Sequence, residues 1–385
     1  ARIAVIETEP RPGMHASGRN SGVLHSGVYY GRDTLKAKMC ARGAARMREF
    51  AAEHGIACKR AGKVIIATCA QDIPVLKQLL RNAKDNSIRV DHLDEEEIKK
   101  IEPYANVYRE GIYSPDTAVI DSLAVLQKLY DVLLRNGVEV FFNQHICEFS
   151  PANKHVSTRE TQYNFGYLFN CAGFNADIIA QRFGLGGEYA LLPFKGIYYR
   201  LRKSADHFVR SSIYPVPDIG LPFLGVHLTK VITGEVYVGP TAIPAFGREN
   251  YGILEGLRLG ESVKICGQMA AMYLRNNQNF RHLVSTEIRK YFKRNFLGAT
   301  RKLVQNVNAD DLVPSRKVGI RPQLINLHTH RLEMDYIIEQ TQTSTHVLNA
   351  ISPAFTSSFA FAEFLVDRSI YKESIDAKES RGMAL

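Results

Sequence analysis

No stretch of this 385-residue chain stays apolar long enough to cross a bilayer as a helix, so no transmembrane anchor is expected. Cysteine is sparse and dispersed. Cys40, Cys58, Cys69, Cys147, Cys171 and Cys266 include no C-x-x-C pair and no accompanying histidine cluster. That spacing argues against a disulfide framework or a zinc centre, so no metal is expected and a reducing, cytoplasmic compartment fits best. No signal peptide, internal repeat or low-complexity tract is present, and the chain opens on Ala1 rather than Met, so its first residue is not expected to be the natural translation start. No basic stripe with interleaved aromatics accompanies the net charge of +10, so a nucleic-acid partner is not expected. Acidic small molecules or an anionic membrane surface remain as readings of that charge. With 23% charged and 45% hydrophobic residues, wholesale disorder is excluded.

What is present is concentrated in Ser17-Gly-Arg-Asn-Ser-Gly-Val-Leu-His-Ser-Gly-Val-Tyr-Tyr30. A packed core has no use for so many hydrogen-bonding groups, because each needs a buried partner. Glycines among them let backbone N–H groups approach a ligand closely. The run suits a loop laid against a large polar cofactor, with its His and Tyr residues facing a reaction space.

Along the chain, Ala1–Glu7 reads as a buried parallel strand ending in an acid. Helices are expected over 34–54, 73–86 and 123–136, with a short one opened by Asp94-Glu-Glu-Glu97. Strands are expected over 63–68, 138–142 and 167–170, the last running into Cys171-Ala-Gly173 and a helix from Asn175. Residues 189–244 read as an antiparallel sheet punctuated by Gly and Pro. Helices return over 254–303, and a strand near 346–348 precedes a helix over 356–368. The pattern predicts an α/β fold: a Rossmann-like FAD-binding domain assembled from 1–62, 115–185 and 312–370, an antiparallel-sheet substrate domain from 63–114 and 186–311, and a flexible tail over 371–385.

Glu7 stands where a Rossmann-type fold places the acid that bonds the adenosine ribose. The strand and GxGxxG turn that should lie roughly 20 residues upstream are missing, leaving the flavin domain N-terminally incomplete. Gly184-Leu-Gly-Gly187 is the nearest glycine cluster, and it follows a helix.

Several motifs occur in a familiar order: His25-Ser-Gly-Val-Tyr-Tyr30, Ser114-Pro115 with Ile120-Asp121, Asn170-Cys-Ala-Gly173, Pro193-Phe-Lys-Gly196, Gly239-Pro-Thr-Ala242 through Tyr251, Gly319-Ile-Arg-Pro-Gln323 and Ser352-Pro-Ala354. In these the chain resembles the flavin-dependent L-2-hydroxyglutarate oxidases and dehydrogenases of the D-amino-acid-oxidase superfamily. The resemblance implies FAD as cofactor and oxidation of L-2-hydroxyglutarate to 2-oxoglutarate. For cofactor contact it points to Ser17, Arg19, Asn20, Ser21 and Gly22, to Ala172 and Gly173, and to Gly319, Ser352, Pro353, Ala354 and Thr356.

The chemistry needs a base for the hydroxyl proton and cations for two carboxylates. His25 is the first candidate base and His227 the second. Arg321 resembles the arginine that holds the substrate carboxylate in related amine oxidases. Arg248, backed by Tyr251, is the candidate clamp for the distal carboxylate unless it pairs with Glu249, and Lys195 is a weaker candidate near the flavin. Oxygen or a quinone would take the electrons. The basic segment 281–302 reads either as a solvated helix face or as a peripheral contact with the inner face of a membrane. Another amino- or hydroxy-acid substrate, or a chain impaired by the missing turn, are the competing expectations.

Overall fold

Capping and apolar spacing fix the helices in this computed structural model, which describes residues 2–371 apart from 219 and 222. Thr34 Oγ1 accepts the Ala37 amide and starts the helix Leu35–Glu53, which buries Met39, Ala44, Met47 and Ala51. Asp121 caps Ser122–Arg135, and an Asp94/Glu97 capping box starts Glu95–Ile101. Ile73–Asp85 and Ala354–Val366 lie within two residues of the ranges their sequence predicts.

Two parallel ladders lie in separate small sheets. Ala4–Ile6 pairs with Glu139–Phe141, and Leu168–Asn170 pairs with Ser344–Val347. Among the described residues no strand joins the two ladders. The expectation of a buried first strand is corrected here. Among the described residues Ala4–Ile6 has one neighbouring strand, and Ile3 and Val5 are exposed.

The large sheet has ten strands among the described residues. Its order runs from Arg331–Leu332 through Leu312–Asn326, Tyr189–Leu201, Val236–Gly239, His227–Lys230, Ser212–Pro215, Lys63–Ile66 and Glu110–Ser114 to Asp91–Asp94, with Ile243–Pro244 on Tyr189–Leu201. The strand Leu312–Asn326 pairs antiparallel along Tyr189–Leu201, so the boundary expected at residue 312 falls inside this sheet. The expected tail lies outside the described residues from 372 onward.

One face of the sheet buries Val64, Ile66, Ile213 and Leu228 against Phe296 and Leu303. Fully burying a Phe such as Phe296 contributes roughly 2–3 kcal/mol. Part of the other face packs Ile65 and Tyr214 against Leu76 and Leu79 of Ile73–Asp85. Helices Leu35–Glu53 and Ala354–Val366 cross at Gly43, where a Cβ would come within 2.5 Å of the Thr356 carbonyl oxygen. That close crossing brings Thr356 up to the opening loop. Its Oγ1 accepts the His25 amide at 3.3 Å and donates to the Val23 carbonyl at 3.2 Å.

Candidate active site

Strand register collects the chemistry on one face. Residues opposite each other in a ladder share a face, as do alternate residues along a strand. Lys63 shares its face with Ile65, which opposes Tyr214. The register between Ser212–Pro215 and His227–Lys230 sets Tyr214 beside His227, and His227 opposes Gly239. Tyr198 lies across from Gly239, and Phe194 of the same strand opposes Arg321. The loop 25–30 lies over this face, with Lys63 Nζ 4.5 Å from the Tyr29 ring centre and 4.8 Å from that of Tyr214. The Tyr214 ring stacks on His227 at 3.9 Å.

Burial sets the protonation states. His25 is pushed well below its ordinary 6.5, chiefly by loss of water and then by Lys63 and His227. His227 falls to about 3, mainly by burial, with Arg321 and Lys63 also pushing it down against the opposing effect of its hydrogen bond. That bond joins His227 Nδ1 to the Gly225 carbonyl at 2.8 Å. A carbonyl only accepts, so Nδ1 carries the proton and Nε2 keeps the lone pair. Lys63, 1% exposed, is lowered by burial to about 7. Burial also lowers Arg321 and raises the Tyr29 and Tyr214 phenols. All three sequence candidates His25, His227 and Arg321 therefore come together.

The same region holds His25 Nδ1, Tyr29 Oη, Ser212 Oγ and Arg321 Nη1, all out of solvent with no hydrogen-bond partner among the described residues. Each such orphan costs roughly 1–3 kcal/mol. Their convergence on one face marks a place for a polar guest.

Several residues expected at the cofactor are spent on the protein itself. Arg19 Nε donates to the Met14 carbonyl at 2.6 Å, its Nη1 reaches the Val318 carbonyl, and its guanidinium lies 4.2 Å over the Tyr251 ring. Asn20 donates to the Ser17 carbonyl and accepts the Gly22 amide at 2.8 Å, which removes that amide as a cofactor donor. Gly22 has no room for a Cβ, which would lie 2.5 Å from the Ile120 carbonyl oxygen. A Cβ on Gly319 would lie 3.1 Å from the Arg19 carbonyl oxygen, so its close approach is to the opening loop. Thr356 holds that loop through the two bonds described above.

The Arg248 group forms a separate cluster. Arg248 forks onto Asp177 at 2.6 and 2.7 Å and also bonds the Phe174 carbonyl. Its partner is thus Asp177 rather than Glu249, and the fork a substrate carboxylate would need is occupied. Tyr251 Oη meets His15 Nδ1 at 2.7 Å, and His15 Nε2 meets Glu9 at 2.9 Å. Glu9, His15 and Glu249 bring ligand-type atoms within 4.8 Å of one another, although both His15 nitrogens are already bonded. Lys195 opposes Ile320 and so lies on the other face of the sheet from Arg321, bonded to Asn250 and the Gly252 carbonyl.

The remaining residues fit a flavin. Glu7 caps the Glu9 amide with one carboxylate oxygen, and Ser17 and Ser21 hold no side-chain bonds among those described. A Cβ on Gly173 would meet nothing within 4 Å. The helix Ala354–Val366 starts after Ser352-Pro353 without a side-chain cap; its Ala354 amide donates to the Ile351 carbonyl at 3.0 Å, which leaves the Phe355 and Thr356 amides for an electron-rich group. These surfaces, with the orphaned His25 and Arg321 atoms, suit a long polar cofactor with a planar ring.

Sequence reading missed Lys63, Tyr198 and Tyr214. A lysine leading the buried run Val64-Ile-Ile66 was a usable signal, since lysine is almost never fully buried without a partner. The two tyrosines carried no local signal.

The sequence profile of the family described as FAD dependent oxidoreductase matches residues 1–368. The chain is 33% identical to L-2-hydroxyglutarate dehydrogenase of Indibacter alkaliphilus over 368 residues, covering 93% of this chain and 90% of that one. It is 31% identical to the mitochondrial L-2-hydroxyglutarate dehydrogenase of Homo sapiens, covering 95% and 82%. Among solved structures, dithionite-reduced L-α-glycerophosphate oxidase from Mycoplasma pneumoniae with FAD bound superposes with a TM-score of 0.74 at 19% identity, covering 95% and 87%.

Proposed function

The chain belongs to the family of FAD-dependent oxidoreductases, and on that premise we propose that it oxidises L-2-hydroxyglutarate to 2-oxoglutarate. One observation carries the reading: Lys63, Arg321, His25 and His227 gather on one buried face, and among the described residues no carboxylate bonds any of them. A site so furnished takes an anion with more than one carboxylate. The two dehydrogenases named above, of Indibacter alkaliphilus and Homo sapiens, take their name from such a dicarboxylate.

Glu7, Ser17, Ser21, Ala172, Gly173 and the start of helix Ala354–Val366 would hold the cofactor. Bound FAD supplies the acceptor for the two electrons and hydrogen that leave the substrate carbon. Arg321 Nη1 holds the substrate's α-carboxylate, and the low-dielectric surroundings strengthen that bond. His25, neutral at working pH and with Nδ1 unpartnered, accepts the hydroxyl proton. A second assignment of the base is His227, favoured by the Gly225 carbonyl that fixes its Nε2 as the acceptor.

The finer reading of partners adds a membrane surface. Ile253, Leu254, Leu259, Val263, Leu274 and Phe292 are exposed large apolar side chains. Residues 246–302 carry eleven Lys and Arg against four Glu. Lys290 and Arg248 are withdrawn from that face by their pairing with Glu287 and Asp177, and the nine other cations suit an anionic bilayer surface. Among the described residues no helix is long and apolar enough to cross a membrane. Oxygen or a membrane quinone is the electron acceptor, and pelleting with anionic liposomes is expected. Retention in the supernatant would count against the surface.

The test of the reaction is spectroscopic. Under anaerobic conditions L-2-hydroxyglutarate should bleach the flavin absorbance of the purified protein, and the D enantiomer should not. Flavin unchanged by either enantiomer refutes the substrate assignment.

A further inference from the structure

Lys63 counts above only as one cation of the face and has no stated contact with the substrate, yet it is the most unusual ionisable group there. It is 1% exposed and makes no salt bridge or side-chain hydrogen bond among the described residues. Two neutral phenol rings, Tyr29 and Tyr214, flank its ammonium. Directly across the ladder stands Ser114, whose hydroxyl is already bonded to Ser26 and Thr117. A buried ammonium without a counter-ion is retained against a large desolvation cost, so its partner is expected to arrive from outside. Arg248, the residue the sequence offers for the second carboxylate, is occupied by Asp177.

We propose that Lys63 seats the distal carboxylate of the substrate, across the reactive face from Arg321, and thereby selects dicarboxylic 2-hydroxy acids over monocarboxylic ones. This rests on the reading of the site as an oxidase of 2-hydroxy acids. Tyr29 and Tyr214 form the walls. Their unionised phenols add cation–π attraction without a competing negative charge. The orphaned Tyr29 Oη supplies a further donor to the same carboxylate. Specificity of this kind is strong because a monocarboxylate leaves the buried cation unpaired.

The test compares ligands with and without the distal carboxylate on the FAD-loaded enzyme. Calorimetry on the unaltered enzyme should show glutarate binding more than about tenfold tighter than butyrate. In Lys63→Met, glutarate affinity and kcat/KM for L-2-hydroxyglutarate should fall by about 30- to 1000-fold, while those for butyrate and L-2-hydroxybutyrate change less than about threefold. Lys63→Gln, with unchanged flavin content, provides a second variant. Equal affinity for glutarate and butyrate in the unaltered enzyme overturns the proposal without any variant. A parallel loss on both ligands, or a glutarate preference that survives both substitutions, also overturns it. If the unaltered enzyme prefers glutarate through Lys63 but leaves L-2-hydroxyglutarate unoxidised, the reaction assignment fails and the carboxylate seat stands.

Discussion

Replacing Lys63 with methionine should stabilise the substrate-free protein, because the folded state holds an ammonium that would be better hydrated in the unfolded chain. The fall from an ordinary 10.5 to about 7 corresponds to about 5 kcal/mol once both states are protonated, and to about 4 kcal/mol at pH 7. Cation–π attraction to Tyr29 and Tyr214, which the variant forgoes, offsets about 1 kcal/mol for each ring and leaves a gain of about 2 kcal/mol. At about 2.1 cal/mol/K per residue the melting entropy of a 385-residue chain is about 0.8 kcal/mol/K, so the melting point should rise by about 2–3 °C. The pH dependence carries the distinguishing sign. The folded pKa lies below the unfolded one, so the unfolded chain holds the extra proton between pH 7 and 10.5. The unaltered protein therefore gains stability as pH rises through that window, and the advantage of the variant shrinks. Scanning fluorimetry at pH 7 and pH 9.5 measures both melting points. A variant less stable at pH 7, or a difference that does not change with pH, would refute the desolvation argument.

Three further outcomes are expected. Arg321→Met should weaken mono- and dicarboxylate substrates alike by about 100-fold or more in kcat/KM while flavin content, read from absorbance, stays unchanged. Asp177→Asn should strand the Arg248 guanidinium and lower stability by about 3–5 kcal/mol, visible as a fall in melting temperature with little change in KM. Because His227 titrates near 3 and His25 below its ordinary range, kcat/KM should show no acid limb near pH 6.5. It should instead decline above about pH 7 as Lys63 loses the proton that a carboxylate needs. A limb at 6.5 in a steady-state pH profile would contradict this.

Local signals made part of this molecule readable from sequence. Apolar spacing over 34–54 and 123–136 and the acids of 94–97 announced helices because both signals act within a few turns of chain. The strand Leu312–Asn326 was hidden, since Ser315, Arg316 and Lys317 break its apolar pattern and only pairing with Tyr189–Leu201 makes it a strand. His25, His227 and Arg321 were identifiable by residue type and setting. The occupation of Arg248 was not, because its partner Asp177 lies 71 positions away. Lys63 reaches Tyr214 only through the parallel register of two strands far apart in sequence, which no local pattern encodes.

The pair of hydrogen bonds made by Thr356 has a consequence for biosynthesis. The His25 amide and the Thr356 hydroxyl are 331 residues apart in the chain. A ribosome adding roughly 5–20 residues per second needs tens of seconds between the two. Throughout that interval the loop bearing His25 is held only by its pairing with 118–119 and its bonds to Cys40 and Ser114, so the reactive face is among the last parts of the nascent protein to acquire its final form. A chain stopped between residues 332 and 356 would carry all ten described strands of the large sheet and still leave the His25 amide without its Thr356 partner.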